Sequence, residues 1–170
     1  MQLTEDQLRE LYVGLIKPFQ HPDPVGYLAR ALLLSEGDPD FAEDGFVGFM
    51  PVRPGDAVEQ VGVQEVQSLE SNVTATLAMD RLNFDKYQSI DDMVLAMHFP
   101  DDVLNPENRT KDQKELLEAI DEAREDIGEI INPPLATVDD VIRILQDNKD
   151  NVKVSKKRMD FFCYLLDRKA

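Results

Sequence analysis

A single cysteine, Cys163, excludes an internal disulfide, and within DFFCYLL it reads as a small apolar residue. No apolar run approaches the roughly 20 residues of a membrane-spanning helix. The first residues, MQLTEDQLREL, are charged and contain no apolar signal core. A chain made in a cytoplasm without a signal peptide is the expectation. Basic residues are also scarce: 18 Lys and Arg stand against 34 Asp and Glu, a formal net charge of −16. The deficit is uneven. By count, residues 1–110 hold 20 acidic and 7 basic residues, and residues 111–170 hold 14 and 11. Such a field repels nucleic-acid phosphates and anionic membranes, so neither is expected as a partner. Dense carboxylates can also copy phosphates, which leaves an acidic inhibitor or DNA mimic as a minor reading. There is no internal repeat and no low-complexity tract. No cofactor and no metal site is expected.

What is present is a core pattern. Hydrophobic residues make up 42% of the 170, enough for one domain of ordinary size. Thr4 and Gln7 form a capping-box pattern ahead of Leu8, Leu11, Tyr12, Leu15 and Ile16, and Pro18 is expected to end that helix. Asp23 and Pro24 read as N-cap and first residue of a helix that runs to Glu36, with Gly37 as its stop. Residues 38–56 read as loop, with GFVGFMPV extended or in a short hairpin near residues 44–52. Further helices are expected around 56–61, over 66–82, and after Ser89. A long amphipathic one opens at Thr110 with Leu116, Ile120, Ala123, Ile127 and Ile130 on its apolar stripe, and Pro133 and Pro134 break it. Two more start at Thr137 and Ser155. The fold class is mainly α: seven or eight helices in a single domain over residues 1–170.

The stretch LLLSEGDPDFAEDGFVGFMPVRP, residues 32–54, concentrates the chemistry. An apolar run stops at Glu36, and an apolar, glycine-containing loop follows. Burial and the negative end of a helix dipole both favour the protonated form of a carboxylic acid. A carboxyl that is protonated near neutral pH can act as a general acid, with residues 46–50 as a water-poor wall. The other reading leaves Glu36 solvent-exposed at a helix end. Asp38, Asp40, Glu43 and Asp44 read as a solvated acidic face. If one of them lay near Glu36 it could position water instead.

This stretch resembles the soluble lytic transglycosylases, a lysozyme-like family; with no export signal in the sequence, a phage member is the expectation. That family has Glu-Ser at a helix end, then Asn-Pro, then Gly-Ala-x-Gly-Leu-Met-Gln and a Pro. Here Glu36 is followed by Asp38-Pro39, and Gly45, Gly48, Met50 and Pro54 fall on the motif, with Phe49 in the Leu position. Downstream, LESNVTATLAMDRL is similar to the family's Asn-Ile-x-x-Gly helix through Asn72 and Val73. DDMVLAMHFPDD is similar to its Ala-Leu-Ala-x-Tyr-Asn segment, with His98 in the Tyr position. The resemblance covers a core of about residues 25–104 and reaches a closing helix over about 155–168; the helical extension over about 105–154 has no counterpart in it. Gly37 replaces the expected Ser, Pro51 the Gln, Thr76 the Gly, and two residues of the loop are missing.

The resemblance implies cleavage of the MurNAc–GlcNAc bond of peptidoglycan. Glu36 is the implied general acid and base, at the floor of a sugar-binding cleft. Gly48, Phe49, Met50, Asn72 and His98 are the implied substrate-binding residues. Asn72 reads rather as a support of the loop, and His98 could equally be structural or merely exposed. The sugar's N-acetyl group would take the place of a second carboxylate. Glycan strands and other virion proteins are the expected partners, and incorporation in a phage virion is the expected location. The rival is a virion structural or ejection component with this fold but no activity, in which the helix at 110–131 would dock a partner.

Overall fold

The sequence signals for capping are used almost literally. In a computed structural model, which describes residues 1–132, helix α1 spans Glu5–Leu11. Gln7 N–H donates to the Thr4 hydroxyl at 3.3 Å, and Thr4 N–H donates to the Gln7 side chain at 2.9 Å. The helix does not run unchanged to Pro18. A wider π turn follows over Tyr12–Ile16, where Lys17 N–H reaches back to the Tyr12 carbonyl at 2.8 Å. The turn leaves Ile16 fully buried.

Helix α2 (Pro24–Ser35) begins at Asp23, whose carboxylate accepts from Gly26 N–H. Strands β1 (Ala42–Glu43) and β2 (Phe46–Val47) form an antiparallel hairpin. Its two turn residues, Asp44 and Gly45, both have positive φ, 53° and 84°. That pair of angles matches the right-handed twist of the strands, and the Asp-Gly dipeptide supplies it cheaply. Val47 and Val52 then pair across a second turn. The extended segment expected near 44–52 is therefore this hairpin, starting two residues earlier, plus that turn.

Helix α3 (Pro54–Val61) starts two residues ahead of expectation, because Pro54 suits a first helical position and Arg53 pairs with Asp56 one turn on. Helix α4 (Leu69–Tyr87) is shifted from the expected 66–82. Ser68 accepts from Ser71 N–H and sets the start; Gln88, in the left-handed region, sets the end. Helix α5 (Ile90–His98) is capped by Ser89. Helix α6 (Lys111–Ile131) buries Ile120, Ile127 and Ile131, with Leu116 and Ile130 partly covered.

Among the described residues, six α-helices and one small sheet make the architecture mainly helical. Residues Met1–Ile131 form one compact unit around the buried α4 face of Val73, Leu77 and Met79. Helix α6 packs on α2, and Arg124 grips Asp23 through two bonds of 2.8 and 2.6 Å. Burial alone would raise the Asp23 carboxyl, but the guanidinium outweighs it and holds it below the usual range. The apolar stripe of α6 thus lies in this unit's own core. The helices expected from Thr137 and Ser155, and Cys163, lie outside the described residues.

Candidate functional site

Glu36 is the residue that ends α2. Its backbone is left-handed, φ 55° and ψ 26°. The left-handed region disfavours residues with a Cβ, so a Glu there is held by its surroundings. The side chain is exposed and accepts from the Gln2 amide at 3.2 Å. The chain ahead of α1 lies along the same helix end. Leu3 N–H donates to the Gly37 carbonyl at 2.9 Å, and the Met1 amine meets Asp38 at 2.8 Å. Hydrogen bonding to that amine lowers the Asp38 carboxyl.

The loop after the hairpin turns inward. Gly48 has φ 93°, and a Cβ there would collide with the Asn72 amide. Asn72 is fully buried on α4. It accepts from Met50 N–H at 2.8 Å and donates to the Met50 and Val47 carbonyls at 3.1 and 3.3 Å. The backbone groups of the turn therefore find partners in one side chain. Ser35 adds a hydroxyl 2.7 Å from the Phe49 carbonyl, tying the loop to the last turn of α2. Phe49 and Met50 are fully buried as a result. The expectation of a wall made by their side chains is corrected: they fill the core under the loop, because Asn72 and Ser35 draw the backbone in.

A cleft of about 340 Å³ opens beside the hairpin, lined by Leu34, Phe41, Glu43, Asp44, Phe46, Pro51 and His98. Glu36 does not line it. Leu34 does so from the same helix. The floor that the resemblance gives to Glu36 is thus apolar, with carboxylates from the hairpin at one side and one imidazole. A second groove of about 210 Å³ runs along Pro39, Asp40, Ala42, Gly48 and Gln67.

Behind the cleft lies a buried polar cluster. Arg30 of α2 and Asp80 of α4 are both sealed from solvent and paired. His21 stacks edge-on against Tyr27 with ring centroids 5.4 Å apart. Asp23 N–H donates to His21 Nδ1 at 2.9 Å, so the proton sits on Nε2, which donates to Asp80 at 2.6 Å. Burial by itself would raise the Asp80 carboxyl, yet the Arg30 charge and the His21 bond bring it below the usual range. Tyr27, its phenol raised by burial, meets the Thr76 hydroxyl at 2.7 Å. Thr76 stands where the resemblance expects Gly, and its hydroxyl also donates to the Asn72 carbonyl. Arg30 Nη1 donates to His98 Nε2 at 3.1 Å. Burial and the Arg30 charge push the His98 imidazole down to about 3.

Two implied site residues, Gly48 and Asn72, meet in the loop; His98 joins the cleft; Glu36 stands apart at the helix cap. Sequence reasoning missed Arg30, Asp80 and His21. A signal existed: Arg30 interrupts the apolar run YLARALLL, and Asp80 falls on the α4 face of Val73 and Leu77. A charged residue on a buried stripe needs a partner of opposite sign. Among the described residues no group of three metal-ligating side chains occurs, and no helix is long and apolar enough to cross a membrane. Compared with known proteins, the chain matches no family model, no curated protein and no solved structure.

Proposed function

We propose that the cleft beside the hairpin binds a peptidoglycan glycan strand, and that the protein cleaves it as a phage virion-associated lytic transglycosylase of lysozyme-like fold. The observation that carries the reading is convergence. Pro51 and His98, which stand where the resemblance has Gln and Tyr, line one cleft with the hairpin, while α2, which contributes Leu34 to that cleft, is capped by Glu36.

In this reading the Glu36 carboxyl donates its proton to the glycosidic oxygen as the C1–O bond breaks. The N-acetyl group stabilises the cation at C1. The Glu36 carboxylate then takes the proton of the C6 hydroxyl, whose oxygen bonds to C1. The product is a 1,6-anhydro sugar, no water is consumed, and the proton that Glu36 gives up is replaced by the one it takes. Its one partner among the described residues is the exposed Gln2 amide, which a ligand oxygen can displace. Phe41, Phe46 and Pro51 offer an apolar floor to a sugar face, and Glu43 and Asp44 accept from hydroxyls.

A second reading has its own observation. Glu36 does not line the cleft, and Gly37 and Pro51 replace two motif residues. On that reading the cleft binds without cleaving, in a structural or ejection component of a virion. Release of soluble fragments from purified peptidoglycan separates the two. Release by the protein, abolished in Glu36→Gln, supports the enzyme. Binding of the insoluble wall without release supports the second reading.

A further inference from the structure

The role of Arg30 follows from what it does to one imidazole. An arginine side chain has donors and no acceptor. Its Nη1 lies 3.1 Å from His98 Nε2, so that nitrogen must be the acceptor and the ring proton must sit on Nδ1. Arg30 has little freedom to do otherwise. It is fully buried, paired to Asp80, and its guanidinium lies 5.6 Å from the centre of the Tyr27 ring. Its Nε has no partner among the described residues. His98 Nδ1 has no partner among the described residues either, yet it is not among the sealed polar atoms, and His98 lines the cleft.

We infer that His98 is a fixed, neutral donor whose Nδ1–H binds an acceptor oxygen of the ligand, and that Arg30, held by Asp80, is the positioning residue that sets this tautomer. The inference rests on the glycan reading of the cleft and deepens it. A neutral donor serves a carbonyl or hydroxyl oxygen and brings no charge of its own that would draw an anion. Glu43 and Asp44, the charged groups that share the cleft with His98, repel anions as well. Facing His98 from behind are Arg30 and, through it, Asp80. An N-acetylated sugar fits this set: its acetamido carbonyl accepts from His98, its hydroxyls donate to the carboxylates, and its apolar face lies on Phe41 and Phe46.

The test is nitrogen NMR of the imidazole in the full chain, with triacetylchitotriose as probe. Without ligand, His98 should show a protonated Nδ1 and a bare Nε2 from neutrality down to about pH 5, where an ordinary imidazole is charged. With the probe, the Nδ1 signal should move. His98→Asn keeps an amide donor close to Nδ1 and should hold most of the affinity, whereas His98→Leu should bind roughly tenfold more weakly, as expected for one lost hydrogen bond. The double variant Arg30→Met with Asp80→Leu replaces the buried pair by apolar groups, an exchange that folded proteins often tolerate. There His98 should lose its single tautomer and titrate like an ordinary imidazole. An unchanged tautomer in that folded variant would make Arg30 merely structural and overturn its role. Should the double variant not fold, the wild-type tautomer and the Asn and Leu variants decide. A protonated Nε2, or probe binding with no change at His98, overturns the inference. Cleavage of peptidoglycan without a His98 shift would leave the enzyme reading and sink this one. A His98 shift without cleavage would do the reverse.

Discussion

Glu36 and Asp80 are both carboxylates, one at the cap of α2 and one within α4, and their environments are opposite. Asp80 is sealed inside α4 against Arg30 and His21, its charge matched and its oxygens taken. Glu36 sits in the left-handed cap of α2, exposed, with one bond to a mobile-length side chain, Gln2. The first holds the fold and the second contributes little to it. Removal of a buried charge's partner leaves the other charge stranded, whereas an exposed carboxylate keeps its water. The comparison teaches where stability and chemistry reside: the elements are locked from behind the cleft, and the reactive group proposed here is left free to meet a ligand.

The largest expected effect breaks the buried side. Asp80→Ala strands Arg30 and should cost about 3–5 kcal/mol, read as a large fall in the denaturation midpoint. The double variant Arg30→Met with Asp80→Leu should lose less than Asp80→Leu alone, because no unpaired charge remains and only the His21 Nε2–H is left without its acceptor; equal loss in that single and the double variant would show the Arg30–Asp80 pair is not what matters.

Asn72 sharpens the comparison at the loop. Asn72→Ala leaves buried backbone groups of Met50 without partners, each worth roughly 1–3 kcal/mol, and should lower the midpoint by an intermediate amount. It should also weaken ligand binding in the cleft, since Pro51 follows directly on the loop that Asn72 holds.

Acid should act chiefly through the side of the molecule held by Arg30 and Asp80. His98 is held neutral to about 3, while in the unfolded chain a histidine takes its proton near 6.5. The folded state therefore loses stability as pH falls from 6.5 towards 3, and keeps it in full above 6.5. Asp80 and Asp23, both held below 3.8, add their loss beneath that value. Melting temperatures of the wild type and His98→Asn across that window should diverge, the variant falling less steeply.

The smallest effects on stability belong to Glu36. Glu36→Gln should change it by no more than about 0.5 kcal/mol, as for other exposed positions. Glu36→Gly should gain about 1 kcal/mol, since glycine adopts the left-handed cap without strain. A large loss from Glu36→Gln would move Glu36 to the buried side of the comparison.

Much of the helical frame was legible because capping and periodicity are local. Thr4–Gln7, Asp23–Pro24 and Thr110 each mark a start that the structure uses within a residue. The α4 boundaries slipped because Ser68 and Gln88 are single residues whose capping depends on the backbone they meet. The site was legible only in part. Asn72 as a loop support could be read as one of two roles, and its three bonds to the 47–50 turn favour that one. The inward fold of Phe49 and Met50 was not legible, since an apolar loop next to a helix end is equally compatible with a cleft wall. The Arg30–Asp80–His98 alignment was invisible as such, because it joins three helices far apart in the chain; only the charge on each buried stripe hinted at a partner.

The central claim, that Glu36 delivers a proton to a glycan bound beside the hairpin, is tested most directly by mass spectrometry of purified peptidoglycan incubated with the protein and with Glu36→Gln. The account predicts fragments lighter than hydrolytic ones by one water from the wild type, and a loss of about 100- to 10,000-fold in their rate of release from the folded variant. Undiminished release by Glu36→Gln, or no fragments from a wild-type protein that binds the wall, would contradict it.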